Sequence, residues 1–220
     1  MKICGVTNVA DAELASGLGA WAIGMIFYER SPRRCSQPEA LAITTALRRR
    51  VELCGVYVNA TLAQIELDVD QLGLSLIQLH GDEGPAFCSE VKRRTGARVI
   101  KAAQVAGPGD VRGLERFHVD FHLLDARSPA SARRGMRGGT GETFDWGLVG
   151  ARRSGVPLIL SGGLTAENVA EAVSITRPFA VDVATGTERA PGHKDPAKLG
   201  RFFAAIGGAD RRDDPAGSAT

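Results

Sequence analysis

The chain has 220 residues, 44% of them hydrophobic and 24% charged, and its 27 basic and 25 acidic side chains leave a net charge of +2. That length and composition suit one globular domain, and so balanced a charge gives no electrostatic basis for a nucleic-acid or membrane partner. No apolar run approaches the ~18 residues of a membrane span. No signal peptide is read at the N terminus, and the scattered Cys4, Cys35, Cys54 and Cys88 suit neither a zinc site nor a disulfide framework, so a cytoplasmic protein is expected. The basic clusters Arg48–Arg50, Arg93–Arg94 and Arg133–Arg134 read as solvated surface.

Short, nearly continuous apolar runs alternate with helix-patterned segments along the chain. Strand Lys2–Cys4 leads to a helix at Val9–Ser16 that Asn8 can cap. Strand Ala22–Phe27 leads to a helix at Glu39–Arg49, with Pro38 near its first turn. Strand Leu53–Val58 precedes a helix at Leu62–Leu72, capped by Thr61, and strand Leu76–Leu79 a helix at Pro85–Thr95. Strand Val99–Ala102 pairs in sequence with helix Asp110–Phe117, and strand Phe121–Leu124 with helix Phe144–Ser154. Strand Leu158–Leu160 precedes helix Thr165–Ile175, capped by Thr165, and strand Phe179–Val183 precedes helix Asp195–Ile206. Gly17, Gly73, Gly96 and Gly155 fall just past four of these helices, where a left-handed residue often closes the last turn.

Strict strand–helix alternation implies a parallel sheet with right-handed crossovers, and eight such units predict a closed (β/α)8 TIM barrel. An open doubly wound sheet is the alternative, but it usually has fewer repeats. The barrel is expected as one domain over residues 1–206. Residues 207–220, rich in Gly, Ala and Asp without an apolar period, are expected as a disordered tail.

Chemistry in such a barrel sits at the C-terminal ends of the strands. Cys4, Asn59, Gln78, His80, Lys101, Gln104, Asp125 and Asp182 fall at or near those ends, and Arg33 lies in the loop after the second strand. Position alone leaves Cys4 open between a small buried hydrophobe and a proton-transfer group, and Asp125 between a loop-capping carboxylate and its acid partner. A thiol used as a base needs a nearby cation or helix dipole. Gly162–Gly163 and Thr185–Gly186, after the last two strands, are suited to hold a phosphate on backbone N–H groups, and Gly139–Thr140–Gly141 forms a third glycine turn on that face.

These residues resemble one family in order. Lys2–Thr7 (KICGVT) is similar to the KICGIT opening of phosphoribosylanthranilate isomerases, and Phe27-Tyr28 with Ser31-Pro32-Arg33 to their FYPxSPR loop. Gly55–Asn59 resembles GVFVN, Gln78–Gly81 is QLHG, and Leu123–Asp125 is LLD. Gly139–Gly141 with Phe144–Trp146 resembles GGTGxxFDW, and Leu160–Leu164 with Glu167–Val169 resembles LSGGLxxENV. Arg177-Pro178, Val181–Val183 and Pro191-Gly192 with Lys194-Asp195 complete a match from Lys2 to about Ile206.

The resemblance implies the Amadori rearrangement of N-(5-phosphoribosyl)anthranilate, a small phosphorylated sugar, in tryptophan biosynthesis. It implies Asp125 as the acid at the ring oxygen and Cys4 as the base at C2. Arg33 is implied at the anthranilate carboxylate, and His80, Gly139, Thr140, Gly141, Gly162, Gly163, Asp182, Thr185 and Gly186 as further substrate contacts. No cofactor and no metal are implied, and the chain is expected as a monomer or homodimer. Indole-glycerol-phosphate synthase would need an early catalytic lysine and a longer N-terminal helix, and the metal-dependent epimerases would need His and Asp pairs that are not at the right strand ends. A catalytically silent phosphate-binding barrel is the non-enzymatic alternative. Ala184 stands where the family usually has serine, and Arg34 where it has an aromatic or aliphatic residue. Met1 directly precedes the first strand, which leaves a start upstream as an open expectation.

Overall fold

The computed structural model describes residues 1–126 and 143–210, with the side chains of 208–210 excepted. Eight parallel strands close in sequence order: β1 Lys2–Cys4, β2 Ala22–Ile26, β3 Glu52–Tyr57, β4 Leu76–Leu79, β5 Arg98–Val105, β6 Phe121–Ala126, β7 Leu158–Leu160 and β8 Ala180–Val183. Closure is made by β1 against β8, with Lys2 opposite Asp182 and Ile3 opposite Val183. The expected (β/α)8 barrel is therefore the fold.

The period-two alternation of each strand sorts its residues between two cores. Cys4, Ala22, Cys54, Val56, Leu76, Ile100, Leu123 and Ile159 fill the barrel interior. Ile3, Ile23, Leu53, Ile77, Val99, Leu124, Leu160 and Val181 face outward and pack under the helices. Both strand faces are thus buried, which explains the nearly unbroken apolar runs.

Most helices begin where expected. Asn8 caps Val9–Gly17 and Thr61 caps Leu62–Leu72 through their side-chain oxygens. The second helix spans Gln37–Leu47, opened by a reciprocal Ser36–Glu39 box, and ends before Arg49, whose φ is 65°. Gly73 and Gly96 close helices in the left-handed conformation. The two other glycines do not: Gly17 is still helical and the positive φ falls on Gly19, and Gly155 is not among the positive-φ glycines.

Three segments depart from the sequence reading. Residues Asp110–Phe117 form a short α-helix at Pro108–Gly113 and a 3₁₀ turn at Leu114–Arg116, because Gly109 and Gly113 lower the helical preference. Residues Phe144–Ser154 give only a 3₁₀ helix, Trp146–Ala151, interrupted by Gly147 and Gly150. The seventh helix starts at Val169, not Thr165. Asn168 takes the backbone N–H of Thr165, so the segment 165–168 is a turn feeding the helix Val169–Thr176. A two-stranded hairpin, β9 Glu188–Ala190 with β10 His193–Lys194, follows β8 and was not read from the sequence. The last helix, Pro196–Asp210, continues past Ile206. No described helix is long and apolar enough to cross a membrane.

Candidate active site

The inward-facing positions at the C-terminal ends of the strands line one pocket of about 880 Å³, open to solvent. Its walls include Cys4 from β1, Arg33 from the loop after β2, His80 from the end of β4 and Asp125 from β6. Ser161, Gly162 and Gly163 come from the loop after β7, and Asp182, Thr185 and Gly186 from β8 and its loop. Nine of the expected site residues thus meet in one place: Cys4, Arg33, His80, Asp125, Gly162, Gly163, Asp182, Thr185 and Gly186. Gly139, Thr140 and Gly141 lie outside the described residues.

Asp125 is 5% exposed, and its Oδ2 lies 3.4 Å from Nε2 of His80. The amide Nε2 of Gln78 lies 3.1 Å from His80 Nδ1. Gln78 and Asp125 thus flank the imidazole at its two ring nitrogens. The β5–β6 register sets Gln104 directly opposite Asp125.

Cys4 lies on the pocket floor, 6% exposed. Burial pushes its thiol above the ordinary value, Lys2 and Lys194 oppose the rise, and Asp182 adds to it. Lys2 Nζ is bound to Asp182 Oδ1 at 2.8 Å inside the barrel. Lys194 Nζ donates to the Cys4 carbonyl at 2.8 Å and the Ala184 carbonyl at 3.1 Å, and lies 3.3 Å from Glu188 Oε1. Cys35, Cys54 and Cys88 are also buried, and their thiols are raised chiefly by burial.

Arg33 is more constrained than the sequence suggested. Its Nε donates to both Glu188 oxygens at 2.9 Å, and Nη2 donates to Glu188 Oε2 at 2.8 Å and to Thr185 Oγ1 at 3.2 Å. The bidentate fork is thus committed to a carboxylate of the protein, and Nη1 is the nitrogen without a hydrogen bond among the described residues. Lys2, Glu188 and Lys194 were not picked out from the sequence as site residues. A signal existed for Lys2, since a lysine that opens a strand buried on both faces needs a counter-charge. Glu188 and Lys194 belong to the hairpin, whose two short strands carry no alternating pattern.

The loops after β7 and β8 approach each other through backbone. A Cβ at Gly186 would collide with the Leu164 carbonyl oxygen, and one at Gly162, whose φ is 91°, would collide with the Ala126 nitrogen. Gly163 also has positive φ, 61°. Ser161 Oγ is turned inward to the Asp182 carbonyl at 3.1 Å and to its Oδ2 at 3.3 Å. Main-chain groups are consequently what this rim presents to an anion. Among the described residues no cluster of three His, Cys, Asp or Glu side chains could hold a metal ion.

Comparison with known proteins places this geometry in a family. Residues 1–205 match the family described as N-(5'phosphoribosyl)anthranilate (PRA) isomerase. The N-(5'-phosphoribosyl)anthranilate isomerase of Citrifermentans bemidjiense is 44% identical over 204 residues, covering 93% of this chain and 95% of the relative. The crystal structure of phosphoribosyl anthranilate isomerase from Thermus thermophilus superimposes with a TM-score of 0.84 at 34% identity, over 94% of this chain and 98% of that one. A phosphoribosyl anthranilate isomerase in complex with reduced 1-(o-carboxyphenylamino)-1-deoxyribulose 5-phosphate superimposes with a TM-score of 0.79 at 34% identity, over 94% and 97% of the two chains. With its sequence matched almost end to end and its barrel superimposed on theirs, the chain belongs to the N-(5'-phosphoribosyl)anthranilate isomerase family.

Proposed function

We propose that the chain converts N-(5-phosphoribosyl)anthranilate to 1-(2-carboxyphenylamino)-1-deoxyribulose 5-phosphate, with Asp125 as general acid and Cys4 as general base. Asp125 gives its proton to the ring oxygen as the C1–O bond breaks, and the nitrogen lone pair forms the ring-opened iminium. Cys4, as thiolate, then takes the C2 proton, which yields a neutral enolamine. The enolamine takes a proton at C1 from the Cys4 thiol and gives its 2-hydroxyl proton to the Asp125 carboxylate, so acid and base are both restored and no redox partner is needed. The observation that carries this reading is the convergence of Cys4 and Asp125, from β1 and β6, on one pocket whose rim is built from glycine backbone. A family relative holding the reduced product analogue supports the substrate class.

Within that pocket the phosphate belongs between Gly162–Gly163 and Thr185–Gly186. His80, beside Asp125, and Asp182, bound to Lys2, line the same pocket as further substrate contacts. Arg33 meets the anthranilate carboxylate through Nη1 while Glu188 holds the rest of its guanidinium. The test is steady-state turnover of the purified protein, followed by the fluorescence change as the anthranilate substrate is consumed. Conversion without added metal or cofactor is the expected result, and a catalytically silent barrel would give none.

A further inference from the structure

We infer that Lys2, which does not line the pocket, is the positioning residue that makes a Cys4 thiolate accessible, by holding a fixed cation beneath the sulfur inside the barrel. The inference rests on the reading of Cys4 as the base.

Strand alternation puts Lys2 and Cys4 on the same inward face of β1, one layer apart. The β1–β2 register sets Gly24 opposite Cys4, so no side chain fills the space beside them. A Cβ at Gly24 would lie 3.0 Å from Cys4 Sγ and 3.1 Å from Lys2 Nζ, so sulfur and ammonium converge on the volume that glycine leaves empty. The β1–β8 register sets Asp182 opposite Lys2 and holds the ammonium at 2.8 Å.

Lys2 is fully buried, in a barrel interior otherwise built from residues such as Ala22, Cys54 and Leu76. A buried ion pair in such a place adds little stability over well-packed apolar residues. Closing the barrel does not call for it, whereas a buried thiol used as a base does call for a cation.

The charged and titratable groups facing Cys4 are Lys2 on its own strand, Cys54 on β3, Asp182 on β8 and Lys194 on β10. Burial works against the Lys2 ammonium, but Asp182, Cys4 and Cys54 together hold it protonated well above the ordinary lysine range. Lys194 is divided among two carbonyls and Glu188, and burial lowers it. Of the charges acting on the thiol, Lys2 therefore has the largest effect.

The test is alkylation of Cys4 by iodoacetamide against pH, read at the Cys4 peptide by mass spectrometry, beside the pH profile of kcat/KM. It compares wild type with Lys2→Met and with Lys2→Met combined with Asp182→Asn. The double variant leaves no unpaired buried charge, so it remains informative if the single variant fails to fold. In folded Lys2→Met alkylation at pH 8 should slow about tenfold or more, and the acid limb of kcat/KM should move up by about one pH unit, equivalent to a tenfold smaller thiolate fraction; in the double variant, where loss of Asp182 offsets part of the effect, both should move in the same direction by less. A folded variant that keeps the wild-type alkylation rate would make Lys2 a structural ion pair and overturn the inference, as would slower alkylation with an unmoved kcat/KM limb. Cys4→Ser is measured in parallel. Full turnover in that variant would remove the base assignment itself, while the alkylation result would still report what Lys2 does to the thiol.

Discussion

On the proposed reading, Arg33 is a buried charge with two tasks, one toward Glu188 and one toward the substrate. Its fork is satisfied by Glu188, which also accepts from the Gly192 backbone N–H at 3.3 Å. Arg33→Met therefore removes one partner of a buried pair, and breaking such a pair costs about 3–5 kcal/mol. The expected outcome is a lower unfolding midpoint together with a KM raised about tenfold and a smaller change in kcat, as loss of uniform binding requires. Unfolding curves and steady-state kinetics on the same preparation check both parts, and an unchanged KM would confine Arg33 to structure. The place of Arg33 in the pocket was legible in the SPR match, but its commitment to Glu188 was not. That partner sits 155 residues away, on a hairpin without sequence periodicity. For Lys2 the sequence signalled only the need for a counter-charge, and its partner Asp182 is one that only barrel closure brings opposite it.

Among the elements, the strands were the most legible. Burial on both faces imposes a nearly continuous apolar run, and eight of eight fell where the runs predicted. The segments after β5 and β6 were misread because their apolar residues have helical spacing while their glycines prevent a full α-helix. The loops after β7 and β8 were legible as glycine turns, but the reason for each glycine came only from the fold, where Gly162 and Gly186 allow backbone to meet backbone. Two substitutions separate main-chain from side-chain binding at this rim. Gly163→Val places a branched residue at a φ of 61° and should raise KM for the phosphorylated substrate more than tenfold. Ala184→Ser adds one hydroxyl, and a single neutral hydrogen bond nets only about 0.5–1.5 kcal/mol, so KM should change by roughly tenfold at most. A comparable KM rise from both would contradict a site built on backbone donors.

Across the whole molecule, the barrel holds its catalytic face open to the substrate while the outer core keeps other ionisable groups out of water. His122, on the outward face of β6, is fully buried, with Nε2 3.0 Å from the Phe117 carbonyl oxygen and Nδ1 without a partner. Burial holds its pKa below the ordinary 6.5, against the pull of that carbonyl. The unfolded chain therefore takes up this proton before the folded one does, so the stability His122 allows is complete above pH 6.5 and is lost as pH falls toward the lower folded value. Unfolding free energy should decline from pH 7 to pH 5, and His122→Asn should flatten that decline. An equal slope in both proteins would assign the acid sensitivity to other groups. The central claim concerns the two groups that the barrel brings from β1 and β6 to one pocket, and the most direct measurement is kcat for Cys4→Ala and for Asp125→Asn, with binding of the reduced product analogue measured alongside. Each substitution should lower kcat by at least about 10²-fold, the lower end of what a positioned acid or base supplies, while analogue affinity stays within a few-fold of wild type. A variant that binds the analogue normally and keeps more than about a tenth of the wild-type kcat would contradict the assignment of that residue.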